Sequence, residues 1–201
     1  MTQHIVLTPL KQRDAVYADA VQTSQGEVFL TAASSLFITA ARLKNLSQEI
    51  DPIQLQQQLI QQIQQFEFQL QQKNIRTEQI LIAKYFICAL LDDLIEHDWL
   101  GGEGFWRAYA LTFYFFQESA VDEKIFTVMS RLQQEPSTNI ALIEFAYMIL
   151  IYGYQGRYRR EAQGYFRLLE KMNELYLVLQ WHYGDFRKSL FLPAGSAHKD
   201  R

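Results

Sequence analysis

Apolar residues recur along this chain at intervals of three and four, and no stretch alternates convincingly between apolar and polar. That periodicity predicts helices and argues against a sheet. The first 25 or so residues are polar and weakly patterned, so residues 1–26 are expected to form a flexible N-terminal arm. A first helix is expected over about Val28 to Leu46, with Phe29, Ala33, Leu36, Ala40 and Leu43 on one face. Asp51 suits an N-cap and Pro52 a first helical position, which starts a second helix that runs to about Lys73. Its apolar residues, Leu55, Leu59, Ile63, Phe66 and Leu70, form a regular stripe, with glutamine filling the other faces. Glutamine is a good helix former, so the tract reads as an amphipathic helix and not as low-complexity chain.

Thr77 is the expected cap of a third helix, to about His97, apolar on nearly every side and therefore central. Gly101 and Gly102 end it. An aromatic-rich fourth helix is expected from Glu103 to Glu118, and a fifth from Val121 to Gln134 with Asp122 and Glu123 at its positive end. A sixth, apolar on most faces, spans about Thr138 to Tyr152. The seventh spans about Arg160 to His182, with Phe166, Leu169, Met172, Tyr176 and Leu179 as its expected buried stripe. Seven helices with short connections imply an all-α bundle over residues 27–183, followed by a connector over 184–201.

Composition narrows the function. The 201 residues are 49% hydrophobic and 20% charged, which is ordinary for a globular chain. A net charge of -3 argues against a nucleic-acid binder. The single cysteine, Cys88, allows no disulfide framework or cysteine-rich zinc site within the chain and sits in the most apolar helix. No secretory signal pattern opens the sequence. No apolar run reaches the roughly 20 residues that span a bilayer.

Three groups of residues are candidates for chemistry. Asp92, Asp93, Glu96 and Asp98 cluster beside His97, and Asp92 and Glu96 share a helix face. Such a group can hold a metal, work as paired acid and base, contact a partner, or remain a solvated face. Asp92, Asp93 and Glu96 are taken as candidate partner contacts, and an all-α metal-dependent enzyme using Asp92, Glu96 and His97 is the alternative. Glu144 interrupts an apolar helix, and a buried carboxylate needs a partner; Arg157 and Arg159 are the expected ones. Gly153 and Gly156, followed by Arg157, Tyr158 and Arg159, invite comparison with a phosphate loop or an RNA clamp. A phosphate loop follows a strand and carries a lysine, and neither is present here. The segment reads as a rigid corner between helices. No Ser-His-Asp or Cys-His arrangement is legible, so no catalytic residue, metal or cofactor is expected.

The segments "CALLDDLI", "LIEFAYMILIYGYQGRYR" and "FLTAASSLFITAARLKN" resemble the DotU/TssL family, over roughly Val28 to Leu179. That family includes the DotU (IcmH) proteins of type IVB secretion and the TssL proteins of type VI secretion. The resemblance implies an all-α cytoplasmic domain of two packed three-helix sub-bundles, with no enzymatic activity. It also implies a C-terminal helix anchored in the bacterial inner membrane, missing from this chain, toward which residues 184–201 would lead. The implied partners are a large inner-membrane protein of the IcmF/TssM type and other secretion-machine proteins such as the baseplate. A homodimer is a further expectation, because an exposed aromatic face can serve as a subunit surface. The chain departs from the family pattern over residues 98–123, where "FFQESAVDEKIF" keeps only Glu118 of a His-Asn-Glu segment.

Overall fold

The computed structural model describes residues 24–43, 51–98, 104–118 and 121–183. Among these residues the fold is all-α. Its helices are α1 (Gln25–Ala32), α2 (Ser34–Leu43), α3 (Pro52–Gln72), α4 (Thr77–Asp98), α5 (Leu111–Phe116), α6 (Val121–Leu132), α7 (Pro136–Ile151) and α8 (Gly164–Tyr183), with 3-10 turns at Trp106–Tyr109 and Gly156–Arg160. Helices α1 to α4 pack together, and so do α6 to α8. The two groups join where α7 lies against α1 and α4.

Local chemistry accounts for most of the boundaries. The Ser24 hydroxyl caps α1 by accepting from the Glu27 amide, and the Asp51 carboxylate caps α3 by accepting from Ile53 at 2.9 Å. The stripe Leu55, Leu59, Ile63, Phe66 and Leu70 is buried as its spacing requires, and the glutamines of α3 face mainly outward. Helix α4 is buried on nearly all sides. Phe145 of α7 sits where the two groups meet, with Phe29, Phe37 and Phe66 at centroid distances of 5.9, 5.7 and 6.0 Å. Lys84 of α4, itself buried, donates to Glu67 of α3 at 2.9 Å and lies 4.9 Å from the Phe115 ring centroid.

Several expectations need correction. The first helix is two, α1 and α2, divided at Ala33. Its expected end at Leu46 lies outside the described residues, as do the glycines Gly101 and Gly102, the arm up to residue 23 and the connector 184–201. The fourth helix is a 3-10 turn and a short α5, separated at Ala110, whose backbone is extended (φ -54°, ψ 131°). Helix α8 starts at Gly164, because Arg160 belongs to the 3-10 turn.

The expected stripe on the last helix is also wrong in register. Gly164, Leu168, Lys171, Leu175 and Leu179 face inward, and Phe166 and Leu169 are exposed. The helix has apolar residues on two faces, and periodicity alone does not choose between them. Finally, Glu144 pairs with neither expected arginine. It is buried in α7, where the Tyr183 hydroxyl donates to it at 3.0 Å and Gly26 of α1 packs directly on its carboxylate. A Cβ at position 26 would overlap that carboxylate.

Candidate functional site

A polar cleft of about 370 Å³ opens between α4, the first 3-10 turn, α5, α6 and the Gly156–Arg160 corner. Asp92 forms its floor. The Trp106 indole N–H donates to Asp92 Oδ1 at 2.7 Å, and the Leu111 amide donates to the same oxygen at 2.8 Å. The Thr112 amide and hydroxyl donate to Oδ2 at 2.9 and 2.8 Å. The carboxylate therefore caps α5 from a different helix, which explains why the chain breaks at Ala110 and starts again at Leu111. Burial pushes the Asp92 pKa up, and the hydrogen bonds from Thr112, Trp106 and Leu111 pull it back.

Asp93 holds the opposite wall. It is buried, its Oδ2 accepts from the Gln155 amide at 2.9 Å and from Arg159 Nη2 at 3.1 Å, and His97 Nε2 lies 3.7 Å from Oδ1. The acidic group and the basic corner thus face each other within one molecule. Glu96 accepts from the Gly104 and Trp106 amides. Asp92, Asp93 and Glu96 were expected to present an acidic face. They turn their carboxylates inward instead, because each meets backbone amides that would otherwise lack acceptors. Asp92, Glu96 and His97 do not converge on a common point, and no group of three or more potential metal ligands forms among the described residues.

The corner is built by its glycines. Gly153 takes φ 112°, which lets α7 end in a tight cap, and Gly156 takes φ 49° where the 3-10 turn begins. The Gly153 amide donates to the Leu150 carbonyl at 3.0 Å and the Tyr154 amide to Ile149 at 3.2 Å. This turn sends Tyr154 inward and sets Tyr158 against Phe126, at a centroid distance of 4.6 Å. The Arg157 guanidinium lies over the Tyr158 and Phe126 rings, at 5.1 and 5.5 Å. Arg159 reaches Asp93, and Arg160 reaches Asp122 of α6 at 2.9 Å.

Two polar atoms along the cleft are buried without a hydrogen-bond partner among the described residues: the Tyr154 hydroxyl and Arg159 Nε. Burial, with Asp122 and Asp93 nearby, raises the Tyr154 pKa far above its ordinary value. Burial and Asp93 also raise the Asp122 pKa. The rim is charged and open, with the Arg160 side chain 71% exposed beside His97, Arg107 and Asp122. Sequence reasoning did not single out Tyr154, Trp106, Thr112 or Asp122 as members of one site. Its one available signal was the position of Tyr154 between the two corner glycines.

Solved structures share this arrangement of helices. TssL from Vibrio cholerae is 28% identical, with a TM-score of 0.67 over 76% of this chain and 95% of that one. The cytoplasmic domain of TssL from Acinetobacter baumannii is 20% identical, with a TM-score of 0.69 over 76% of this chain and 97% of that one. SciP/TssL from enteroaggregative Escherichia coli 042 is 16% identical, with a TM-score of 0.61 over 87% and 93%. The latter two likenesses concern the fold alone. A comparison with curated protein sequences found no match. The family model described as "Type VI secretion system protein DotU" matches residues 28–201, nearly the whole helical domain, and the chain belongs to that family.

Proposed function

We propose that this protein is a non-enzymatic structural component of the inner-membrane complex of a type VI secretion system, and that it acts by binding an IcmF/TssM-type inner-membrane protein through the α4–α6 cleft. The observation that carries the binding reading is the exposed charged rim beside two buried atoms, the Tyr154 hydroxyl and Arg159 Nε, that have no partner among the described residues. Buried polar groups without partners are costly, so these two mark where the cleft wall would gain by rearranging around a polar group from outside. The acidic residues of the floor support this reading by positioning. Asp92 and Asp93 are occupied by internal donors, which fixes α5 and the corner and so shapes the rim. In this arrangement they influence a partner indirectly, and Arg160, His97 and Asp122 meet it. The membrane location and any baseplate contact belong to the same reading, supported by family membership. No helix of the described residues is long and apolar enough to cross a membrane.

The test is binding of the IcmF/TssM-type cytoplasmic region to Tyr154→Phe and Arg160→Glu variants. Each should bind at least about tenfold more weakly, which corresponds to about 1.4 kcal/mol, with an unchanged melting temperature. Wild-type affinity in both folded variants would remove the cleft from the proposal.

A further inference from the structure

The charge of the chain changes sign at the end of α8. The residues after Tyr183 hold Arg187, Lys188, Lys199 and Arg201 against Asp185 and Asp200, a net charge of +2. The whole chain carries -3, which leaves -5 for residues 1–183. Just before that reversal, α8 presents an apolar outer face. Its inner face, with Leu168, Leu175 and Leu179, is buried, and α8 packs chiefly on α7 and the Gly156–Arg160 corner. On the far side Tyr165, Phe166, Leu169, Leu177 and Trp181 are exposed, Phe166 at 69% and Trp181 at 80%. An α-helix turns about 100° per residue, so Tyr165, Leu169, Asn173, Phe166 and Leu177 share an arc of about 120° that holds no charged residue. Glu170 stands just beyond that arc, with Glu174 and Arg167 farther round; all three are exposed.

The exposed parts of the five apolar side chains amount to roughly 600 Å², taking about 200 Å² for a whole large side chain. That is at the upper end of what monomers leave uncovered, about 300–600 Å². A helix with one such face and polar flanks has the build of an interfacial helix, which lies flat with its apolar side about 5–10 Å into the headgroup region.

We propose that the outer face of α8 is a lipid-contact surface, which lays the domain on an anionic bilayer together with the basic residues that follow it. Two observations favour a bilayer over a protein partner. Tyr165 and Trp181 stand at opposite ends of the helix, roughly 24 Å apart along its axis. Such aromatic rings settle at the boundary between lipid and water, so both ends of the helix are anchored at one depth. The second observation is charge complementarity. Residues 1–183 are repelled by an anionic surface, and the basic residues after them are not. Arg187 and Lys188 follow Tyr183 by four and five positions, so they lie within about 17 Å of the helix end in any conformation. Each basic residue close to an anionic leaflet strengthens binding about fivefold. Glu174 is paired with Lys171 and Arg167 with Glu161, so the flank beyond the arc opposes the approach less than its carboxylates alone would. The aromatic face supplies insertion and the basic residues supply attraction, and stable peripheral binding takes two such signals.

Vesicle binding is read with no protein partner present, so this surface and the cleft are tested separately. The full 201-residue chain is co-sedimented with vesicles of phosphatidylcholine and phosphatidylglycerol, and with vesicles of phosphatidylcholine alone. Partitioning onto the anionic vesicles is expected, at least tenfold stronger than onto the neutral ones. The double variant Phe166→Ser/Leu177→Ser should lose at least tenfold of it, and so should Arg187→Glu/Lys188→Glu. Phe166 and Leu177 are exposed, so the first variant's fold, checked by circular dichroism, should be unchanged. Tryptophan emission should shift to the blue on the anionic vesicles, and Trp181→Phe should abolish the shift. A chain that stays in the supernatant with both kinds of vesicle overturns the proposal. Wild-type partitioning in the Phe166→Ser/Leu177→Ser variant removes α8 from it. Equal partitioning onto both vesicles, unaffected by Arg187→Glu/Lys188→Glu, overturns the recognition of anionic headgroups. A blue shift of Trp181 with the IcmF/TssM-type cytoplasmic region and none with vesicles makes the occupant a protein and overturns the proposal as well.

Discussion

Removing the Asp92 carboxylate should unfasten α5. In Asp92→Ala, the Leu111 and Thr112 amides lose their acceptor, as does the bond from the Trp106 indole. Each buried donor left unmet costs about 1–3 kcal/mol. Relief from burying a charge, visible in the raised Asp92 pKa, returns part of that. The net loss should be about 3–4 kcal/mol, a fall of about 10 °C for a domain of this size. Asp92→Asn separates shape from charge. Its amide oxygen can serve Trp106 and Leu111, and its NH2 group then meets the Thr112 N–H, so one donor is stranded and the loss should be about 1–2 kcal/mol. The gap between wild type and Asp92→Asn should also depend on pH. The folded pKa of Asp92 lies above its unfolded value, so its contribution is fully present below about pH 4 and declines as pH rises through the folded pKa. The gap should therefore be wider at pH 4 than at pH 7. Urea melts followed by tryptophan fluorescence measure all of this. A loss under about 1 kcal/mol for Asp92→Ala would show that the four hydrogen bonds do not organise the break at Ala110.

Other perturbations have clear signs. The Tyr85 hydroxyl is buried without a partner among the described residues, and burial with Glu118 raises its pKa to about 12. Tyr85→Phe should therefore be neutral or stabilising by up to about 1 kcal/mol in thermal melts, and a clear destabilisation would reveal a missed partner. Gly26→Ala should cost about 1–3 kcal/mol by forcing the Glu144 carboxylate aside; an unchanged melting temperature would contradict the packing of α1 on α7. Tyr183→Phe removes the hydrogen bond to Glu144 and should cost about 1–2 kcal/mol. Amide exchange should localise that loss to the last turn of α8.

How much was legible beforehand varies by element. Helix α3 was readable because its cap, its proline and its single apolar stripe agree. The corner at Gly153 and Gly156 was readable because two glycines after an apolar helix leave few other backbones. The last helix was misread by its stripe, since Phe166 and Leu168 are equally apolar and only the position of α7 decides which side is covered. Glu144 was correctly expected to be buried, and its partner was wrongly chosen. Arg157 and Arg159 are near in sequence, but the turn carries them toward Asp93 and Phe126.

The sequence by itself determined the all-α class, most helix locations and the family, because these depend on local periodicity, caps and a contiguous motif. Only the tertiary structure decided that Asp92 caps a distant helix, that Asp93 holds Arg159, and that Tyr154 lines a cleft. Those contacts join residues 20 to 66 positions apart. Their geometry is set by how α4, α6 and α7 cross, which no local pattern encodes.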